Sequence, residues 1–399
     1  MTDYVCEAAR LLLSSMHKHR HADRRRSSFV FTQPGQPPFS KGGGIAEVNF
    51  DRGRLLECAV YIRKHGAPHL MNLPVSKIER ELILFVTENY YIIAHEALWS
   101  DFAGSYADNL SVEKTHEIVA ALGASHFFRK QQVTVAFPIV PIRILDDYIG
   151  ASFFLCASDG LAAALGADAG GFRIIGDTFP PIARWDGARQ AVPSWLGVRA
   201  PTIEAARKVR ASVLGAVALL PQHDERYMFS GRKIFGGEII FRDKCSFCFG
   251  EPHTPPIMRD ITIDSTNRYW INQLEYKFTS ESKDDQKHLL ALEYFYQAWT
   301  KDPVTRFPLM FFSLDAIFGD VSKATQAVVD AVSRVIGSEY TADRIRLLLH
   351  LRASVVHGGA PNVYESKKYH TYYQKYGKDA IEEIEMITAT CLQQTIFPG

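Results

Sequence analysis

The chain has 399 residues, of which 47% are hydrophobic, which is enough apolar material for about two or three folded domains and excludes general disorder. Its 45 lysines and arginines nearly balance 44 aspartates and glutamates, so attraction to a nucleic acid would have to come from a local patch. The six cysteines are scattered, no secretory leader pattern opens the chain, and no apolar run approaches the length of a membrane span. These features favour a cytoplasmic protein with reduced thiols and no membrane partner.

The N-terminal region mixes helix and strand patterns. A first helix is predicted over residues 4–21. The basic side chains between residues 17 and 26 are interpreted either as a mobile arm or as a contact for a nucleic acid or a protein partner. Apolar periodicity predicts strands at 44–50, 131–140, 151–159, 172–182 and 258–266, and helices at 76–98, 111–128 and 202–221. A hairpin is predicted at 227–243, with Gly236 and Gly237 as its turn.

The pattern of polar and apolar residues changes at a polar run, residues 279–288. After this run the apolar residues have helical spacing. The predicted helices are 289–300, 304–319, 322–337, 341–359 and 377–397. The expected helix caps are Gly319, Gly337 and Gly358 at C-terminal ends, and Ser338 or Thr341 at the start of the fourth helix. The predicted fold class is therefore α+β. A mixed α/β N-terminal region, as one or two subdomains, covers residues 1–285, and an all-helical bundle covers residues 286–399.

One cluster has the residue types of a metal site. Cys245, Cys248 and His253 lie within nine residues, but a structural zinc site usually needs four ligands and no second cysteine pair lies nearby. Two small residues on a strand or turn are the simpler interpretation, and zinc binding stays open. The phosphate-binding loop, the dinucleotide fingerprint and the zinc-protease pattern are absent from the sequence. No metal and no other cofactor is predicted.

The stretch LRASVVHGG at residues 351–359 places an arginine inside an apolar pattern. On a helical wheel at about 100° per residue, Arg352 falls on the same stripe as Ile345, Leu348, Leu349 and Val356. A charge there needs a partner. One alternative is a snorkelling stem or a salt bridge, with an acid such as Asp315 on the second helix of this region. The other is a pocket in which Arg352 binds an anionic group such as phosphate.

His357 follows five positions after Arg352, about 140° round the wheel. By itself, a histidine at a helix end can simply interact with the C-terminal dipole. The pair is more specific in its context. Arg-x-x-x-x-His near the end of a late helix, followed by Gly-Gly and preceded by FPLMFFSLDAIFG about forty residues earlier, resembles the HEPN superfamily, in particular its Apea-like branch. The resemblance covers residues 286–397.

The resemblance implies metal-independent cleavage of RNA, in antiviral defence, abortive infection or toxin systems. It also implies a homodimer through the C-terminal domain, in which both copies face one cleft. Carried over to this chain, the catalytic residues are Arg352 and His357. The residue types suit the chemistry, because histidine can transfer protons near neutral pH and arginine can stabilise charge on phosphoryl oxygens.

Further RNA contacts are expected near the motif, because cations interleaved with aromatic rings suit single-stranded RNA. The candidates are Ser354, His350, Lys367, Lys368 and Tyr372. The segment around 367–378 can also be a plain solvated connection. The N-terminal region would have a sensing or regulatory role, with a phage or host protein as a candidate trigger.

Ala353 departs from the family pattern. Active members often have Asn, His or Asp directly after the arginine, and here the position lacks a polar group. This favours, as the alternative, a catalytically weak HEPN module that binds RNA, a nucleotide or a protein partner. An unrelated enzyme that uses the N-terminal α/β region is a third hypothesis, without a recognisable motif to support it.

Overall fold

The chain divides into two compact units, Met1–Gln132 and Val133–Gly399. A computed structural model of the protein describes residues 3–20, 23–33, 43–99, 101–129, 132–166, 179, 192–241, 245–320, 323–337 and 340–398. Sheets occur in the N-terminal part of the chain and the C-terminal part is helical, which confirms the α+β fold class.

In the first unit, helices surround a small antiparallel sheet with strand order β1-β3-β2. The described elements are α1 Asp3–Ser15, β1 Met16–His17, β2 Arg24–Phe31, β3 Gly44–Asp51, α2 Arg52–His65, α3 Val75–Asn89, α4 Ala94–Trp99, α5 Tyr106–Asn109 and α6 Val112–Ala124. Leu12, Phe50, Ile62, Leu82 and Leu122 are fully buried and belong to one core. The apolar stripes of α1, α2, α3 and α6 therefore pack together around β3.

The basic cluster near the N-terminus belongs partly to this sheet. Arg24, Arg25 and Arg26 begin β2, which pairs antiparallel with β3 along its whole length. Arg26 also forms an ion pair with Glu47 on β3. The interpretation of this stretch as a mobile arm is wrong for these three arginines, because β2 is paired with β3 from Arg24 onward and ends with Phe31 in the core.

The second unit combines a larger sheet with a helical region. Its described strands are β4 Val133–Ile139, β5 Ile142–Ile144, β6 Tyr148–Ile149, β7 Phe153–Cys156, β8 Ser194–Ala200, β9 Gly236–Phe241, β10 Cys245–Gly250 and β11 Ile261–Ile263. Six of them form an antiparallel sheet, in the order β10-β9-β4-β8-β7-β6 among the described residues, and β11 pairs in parallel with β5. The strand predicted at 172–182 lies outside the described residues except for Phe179.

The hairpin predicted at 227–243 is wrong, because no strand covers residues 227–235. Gly236 and Gly237 do not reverse the chain but begin β9, which pairs with β10 from Gly236 opposite Gly250 to Phe241 opposite Cys245. Gly237 has φ +122°, and a Cβ atom there would lie 2.2 Å from the carbonyl oxygen of Cys248. Glycine is therefore needed for the close approach of β10. Two consecutive glycines occur both in turns and where a neighbouring strand approaches closely, so the sequence alone does not distinguish the two.

The helices of the second unit are α7 Leu161–Leu165, α8 Ile203–Val217, α9 His223–Arg226, α10 Arg268–Thr279, α11 Lys283–Trp299, α12 Pro303–Phe318, α13 Ala324–Ile336, α14 Ala342–Val356, α15 Lys367–Tyr376 and α16 Ala380–Ile396. Each helix predicted after residue 286 is present, and α10 and α15 are additional. No described residue after Ile263 belongs to a strand. No described helix is both long and apolar enough to cross a bilayer.

Sheet and helices of the second unit share one core. Leu196 of β8, Val213 of α8, Leu292 of α11 and Leu348 of α14 belong to the same buried cluster. The Ser212 hydroxyl on α8 donates to the carbonyl oxygen of Leu289 on α11, at 3.0 Å. The predicted boundary at residue 286 thus falls inside this compact unit, because α11 buries one face against α8.

Candidate functional site

Helix α14 positions the arginine and the histidine of the motif. The hydroxyl of Thr341, one of the two predicted caps, accepts from the amide of Arg344 and starts the helix. Ile345, Leu348 and Leu349 are buried as the stripe predicts, but Val356 is 49% exposed. The stripe therefore ends before the last turn of α14, which emerges at the surface of the unit and exposes Ala353, Val356 and His357.

Arg352 lies at the edge of the buried stripe and is paired. Its Nη1 lies 2.7 Å from Oδ2 of Asp315 on α12, with 22% and 31% of the two side chains exposed. The guanidinium carbon is also 5.6 Å and 5.2 Å from the ring centroids of Phe311 and Phe312. The salt-bridge alternative with Asp315 is thus present. One acid and two rings fix the guanidinium in place.

The pairing does not use all of the arginine's donors. Arg352 has five N–H groups, and neither its Nε nor its Nη2 donates a hydrogen bond to a described residue. The side chain is also partly open to solvent. An anion at the surface can therefore bind to the remaining donors while Asp315 still holds Nη1, so the salt bridge and the anion site do not exclude each other.

The backbone of His357 is fixed by the turn that ends α14. The amide of His357 donates to the Ala353 carbonyl at 3.0 Å, that of Gly358 to Val355 at 3.2 Å, and that of Gly359 to Ser354 at 2.7 Å. Gly358 has φ +73°. This is a Schellman C-cap, which needs glycine in the left-handed region and explains the Gly-Gly after the histidine. The exposed ring of His357 makes no hydrogen bond or ion pair with the described residues.

Helix α15 begins next to the motif. Ser366 caps it by accepting from the amide of Lys368 at 3.3 Å. Its hydroxyl lies 3.4 Å from that of Ser354, which sits on α14 between Arg352 and His357. The link brings the exposed side chains of Lys367 and Lys368 to the same end of α14. This helix is not among the predicted ones, although a serine before a run of lysine and tyrosine is a recognisable N-cap pattern.

Two further predicted RNA contacts have opposite surroundings. His350 is exposed on α14. Tyr372 is fully buried in the core of the second unit, where its hydroxyl accepts from Nε of Arg344 at 3.3 Å. Its ring therefore has no face for a base, and the prediction that Tyr372 binds RNA is not compatible with this packing. Tyr373, one position further, is 57% exposed, because neighbouring residues of a helix point about 100° apart.

The end of α14 thus carries an arginine held by Asp315 and a histidine whose ring has no hydrogen-bond or ion-pair partner among the described residues, and the start of α15, with two exposed lysines, contacts the same part of α14. No protein-family model, no curated protein and no solved structure matches this chain. The function therefore has to follow from the chemistry of these residues.

The cysteine cluster does not form a zinc site in the described parts of the chain. Cys245 and Cys248 are exposed on β10 three positions apart, so they point to opposite faces of the strand. Arg210 Nη1 donates to Nδ1 of His253 at 2.9 Å, and Nε2 of His253 donates to the Gly237 carbonyl at 2.6 Å. Both ring nitrogens are committed. No group of three or more His, Cys, Asp and Glu suited to a metal occurs among the described residues.

A cavity of about 400 Å³ lies elsewhere in the second unit. It is lined by His223, Tyr340 and one face of α16, which contributes Glu382 and Met386. Arg352 and His357 do not line it. They lie at the surface end of α14, a setting that suits a polymeric substrate better than an enclosed small molecule.

Proposed function

We propose that the protein is a metal-independent endoribonuclease of the HEPN type, which cleaves single-stranded RNA with Arg352 and His357. The observation that supports this most directly is the surface end of α14. There an arginine and a histidine lie five positions apart, beside the N-terminus of α15, and within the described parts of the chain the arginine keeps unused donors and the histidine ring has no partner. The proposed setting is the cytoplasm, in antiviral defence, abortive infection or a toxin system.

The proposed reaction needs one proton acceptor, one proton donor and one charge stabiliser. The 2′-oxygen attacks the adjacent phosphorus, its proton passes to a base, and the bond from phosphorus to the 5′-oxygen breaks as that oxygen gains a proton. The products are a 2′,3′-cyclic phosphate and a 5′-hydroxyl end. His357 is suited to one of the two proton transfers, and Arg352 to stabilising the charge on the phosphoryl oxygens.

We propose that the active form is a homodimer in which two α14 ends face each other. Side chains about 140° apart on one helix converge poorly on one phosphate, whereas a two-fold axis brings residues of two copies together. The exposed side chain of Val356 would provide an apolar contact for the second copy at this end. Val356→Asp should then give a monomer by light scattering and abolish cleavage, whereas Val112→Asp, at a 73% exposed position of α6, should do neither. A wild-type monomer at micromolar concentration, with and without RNA, would contradict the dimer.

Cleavage of an end-labelled single-stranded RNA tests the chemistry. Cutting should persist in chelator and should stop when the scissile nucleotide is 2′-deoxy. Arg352→Ala and His357→Ala should each reduce the rate on the order of 10²–10⁴-fold. Arg346→Ala, on the same helix, and His116→Ala, an exposed histidine of α6, are matched controls that should cut normally. Loss of cutting in chelator, or equal cutting of DNA, would contradict the mechanism.

A second candidate function is a HEPN-like module that binds RNA, a nucleotide or a protein partner without turnover. It is favoured by Ala353, which is exposed beside Arg352 and offers no polar group to the site. If wild type and both motif variants are equally inert on every RNA tried, while Arg352→Ala weakens RNA binding, this candidate replaces the ribonuclease.

A further inference from the structure

We infer that Tyr364 is a base-stacking residue of the Arg352–His357 site, so that the substrate must present an unpaired base next to the scissile phosphate. This inference rests on the proposed function. Tyr364 lies between α14 and α15, and 40% of it is exposed. Nothing in the sequence pattern distinguished it from the other tyrosines of this segment.

The ring of Tyr364 is braced from within the protein. It meets the ring of Tyr369 edge-on, with centroids 5.2 Å apart and planes at 77°. The hydroxyl of Tyr369 donates to Oδ2 of Asp379 at 3.2 Å, which in turn fixes the second ring. The amide of Tyr364 donates to Oδ1 of Asn362 at 2.9 Å. An exposed ring held in this way loses little freedom when a base stacks on it.

The position of Tyr364 follows from the chain itself. It precedes Ser366 by two residues, so their Cα atoms are at most about 7.6 Å apart. The Ser366 hydroxyl is 3.4 Å from that of Ser354, on the turn of α14 between Arg352 and His357. The backbone at Tyr364 therefore lies close to the turn of α14 that carries the motif.

Charges of both signs lie near Tyr364, and the cations are at the start of α15. Lys367 and Lys368 are exposed at the start of α15, where the helix dipole adds partial positive charge. Glu365 is bonded to Asn362. Burial, and then the carboxylates of Asp379, Glu385 and Glu382, raise the pKa of the Tyr364 hydroxyl, so acids as well as lysines lie near this ring. Cations for the backbone and an aromatic platform for a base are the combination that binds single strands with little sequence preference.

Binding of a fluorescent single-stranded RNA to the His357→Ala protein tests the inference without cleavage. Tyr364→Ala should weaken the Kd about 5- to 150-fold, the range for loss of one base–aromatic stack. Tyr364→Phe keeps the ring and should restore the affinity. Tyr276→Ala, which removes a ring of α10 that is 64% exposed against 40% for Tyr364, is the control and should bind normally.

RNA with one abasic nucleotide at each position in turn locates the stacked base. An abasic nucleotide at one position, next to the site that wild type cuts, should weaken the binding of RNA to the His357→Ala protein. The same abasic RNA should bind the His357→Ala, Tyr364→Ala protein no more weakly than intact RNA does. A fully paired duplex should bind like the Tyr364→Ala complex.

The outcomes separate this inference from the ribonuclease. If wild type cuts RNA and Tyr364→Ala binds as tightly as its parent, the stacking role is wrong and the ribonuclease stands. If Tyr364→Ala weakens RNA binding as expected but wild type never cuts RNA, the ribonuclease proposal is wrong and the stacking site stands. If no RNA binds, both are wrong.

Discussion

Arg352 has two roles to reconcile at the scale of a single residue. Asp315 neutralises it, yet the guanidinium keeps unused donors at the surface. An arginine without the tether would sample many rotamers, and its donors would be poorly placed for a phosphate. Asp315 and the rings of Phe311 and Phe312 are thus positioning groups for Arg352 in the proposed reaction.

Asp315→Asn removes the charge of this tether and keeps its size. We expect kcat/KM for RNA cleavage to fall, by up to about 10²-fold, as for a misplaced catalytic group. Stability should change by less than about 1 kcal/mol, because the pair is partly exposed. Cleavage kinetics and urea unfolding measure the two effects. The control is Asp343→Asn, which breaks the exposed ion pair between Asp343 and Arg346, both on α14. Normal cleavage by Asp315→Asn would exclude a positioning role.

His253 is a residue whose neutral form the fold requires. Nδ1 accepts from Arg210, so a proton on Nδ1 would face a cation. Burial, with the Arg210 charge as a smaller cause, lowers the pKa of His253 from 6.5 to about 3. Between these values the unfolded chain binds a proton that the folded chain does not, so the free energy of unfolding decreases as the pH falls from about 6.5 to 3.

His253→Gln tests this pH dependence. The amide of glutamine can accept from Arg210 and donate to Gly237 without titrating. We expect its free energy of unfolding to fall less steeply than that of wild type between pH 6.5 and about 3, measured by urea unfolding at a series of pH values. His350→Gln, at an exposed position of α14, should follow wild type. An unchanged slope in His253→Gln would show that other groups govern the acid response.

At the scale of the element, α14 is held at both ends by an arginine. Near its start, Arg344 is buried and pairs with Glu383 on α16, between the rings of Tyr340 and Tyr376. Near its end, Arg352 pairs with Asp315 on α12 at the surface. The first pair fixes the helix in the core, and the second leaves the last turn accessible.

Loss of the two ion pairs should lower the stability of the protein by very different amounts. Glu383→Ala leaves the charge of Arg344 buried and should cost about 3–5 kcal/mol. Asp315→Ala breaks a pair of the same kind on the same helix, but water can solvate Arg352, so the cost should stay below about 1 kcal/mol. Urea unfolding of both variants measures the difference. Equal losses would mean that Arg344 has water or another acceptor in place of Glu383.

At the scale of the molecule, the change in sequence texture near residue 286 and the limits of the compact units do not coincide. The second unit starts at Val133. One buried cluster contains both Val135 of β4 and Ile396 of α16. The helices that form the proposed ribonuclease therefore fold on the sheet of the same unit.

Fragments of the chain test this dependence. A fragment of residues 133–399 should unfold cooperatively, because it contains a whole core. A fragment of residues 286–399 should not, because it exposes the face of α11 that packs on α8, including Leu292. Circular dichroism during thermal unfolding compares them. A cooperative transition in the shorter fragment would support an independent helical domain.

The sequence by itself determined most of the helices of the C-terminal region and their ends. Apolar spacing, the Thr341 cap and the glycine after His357 act within one or two turns of the chain, so local physics suffices to predict them. The apolar stripe of the fourth C-terminal helix also predicted that Arg352 needs a partner, with Asp315 as a candidate for a salt bridge.

Only the tertiary structure decided which side chains of the site face the solvent. Tyr372 and Tyr373 differ by one position and have opposite burial, because α15 packs on α14 with one of its faces. Gly236 and Gly237 form a strand start and not a turn, because β10 approaches them. The segment that carries Tyr364 meets the last turns of α14 through a contact between the hydroxyls of Ser366 and Ser354. Such choices depend on packing between elements, which the period of a single segment does not encode.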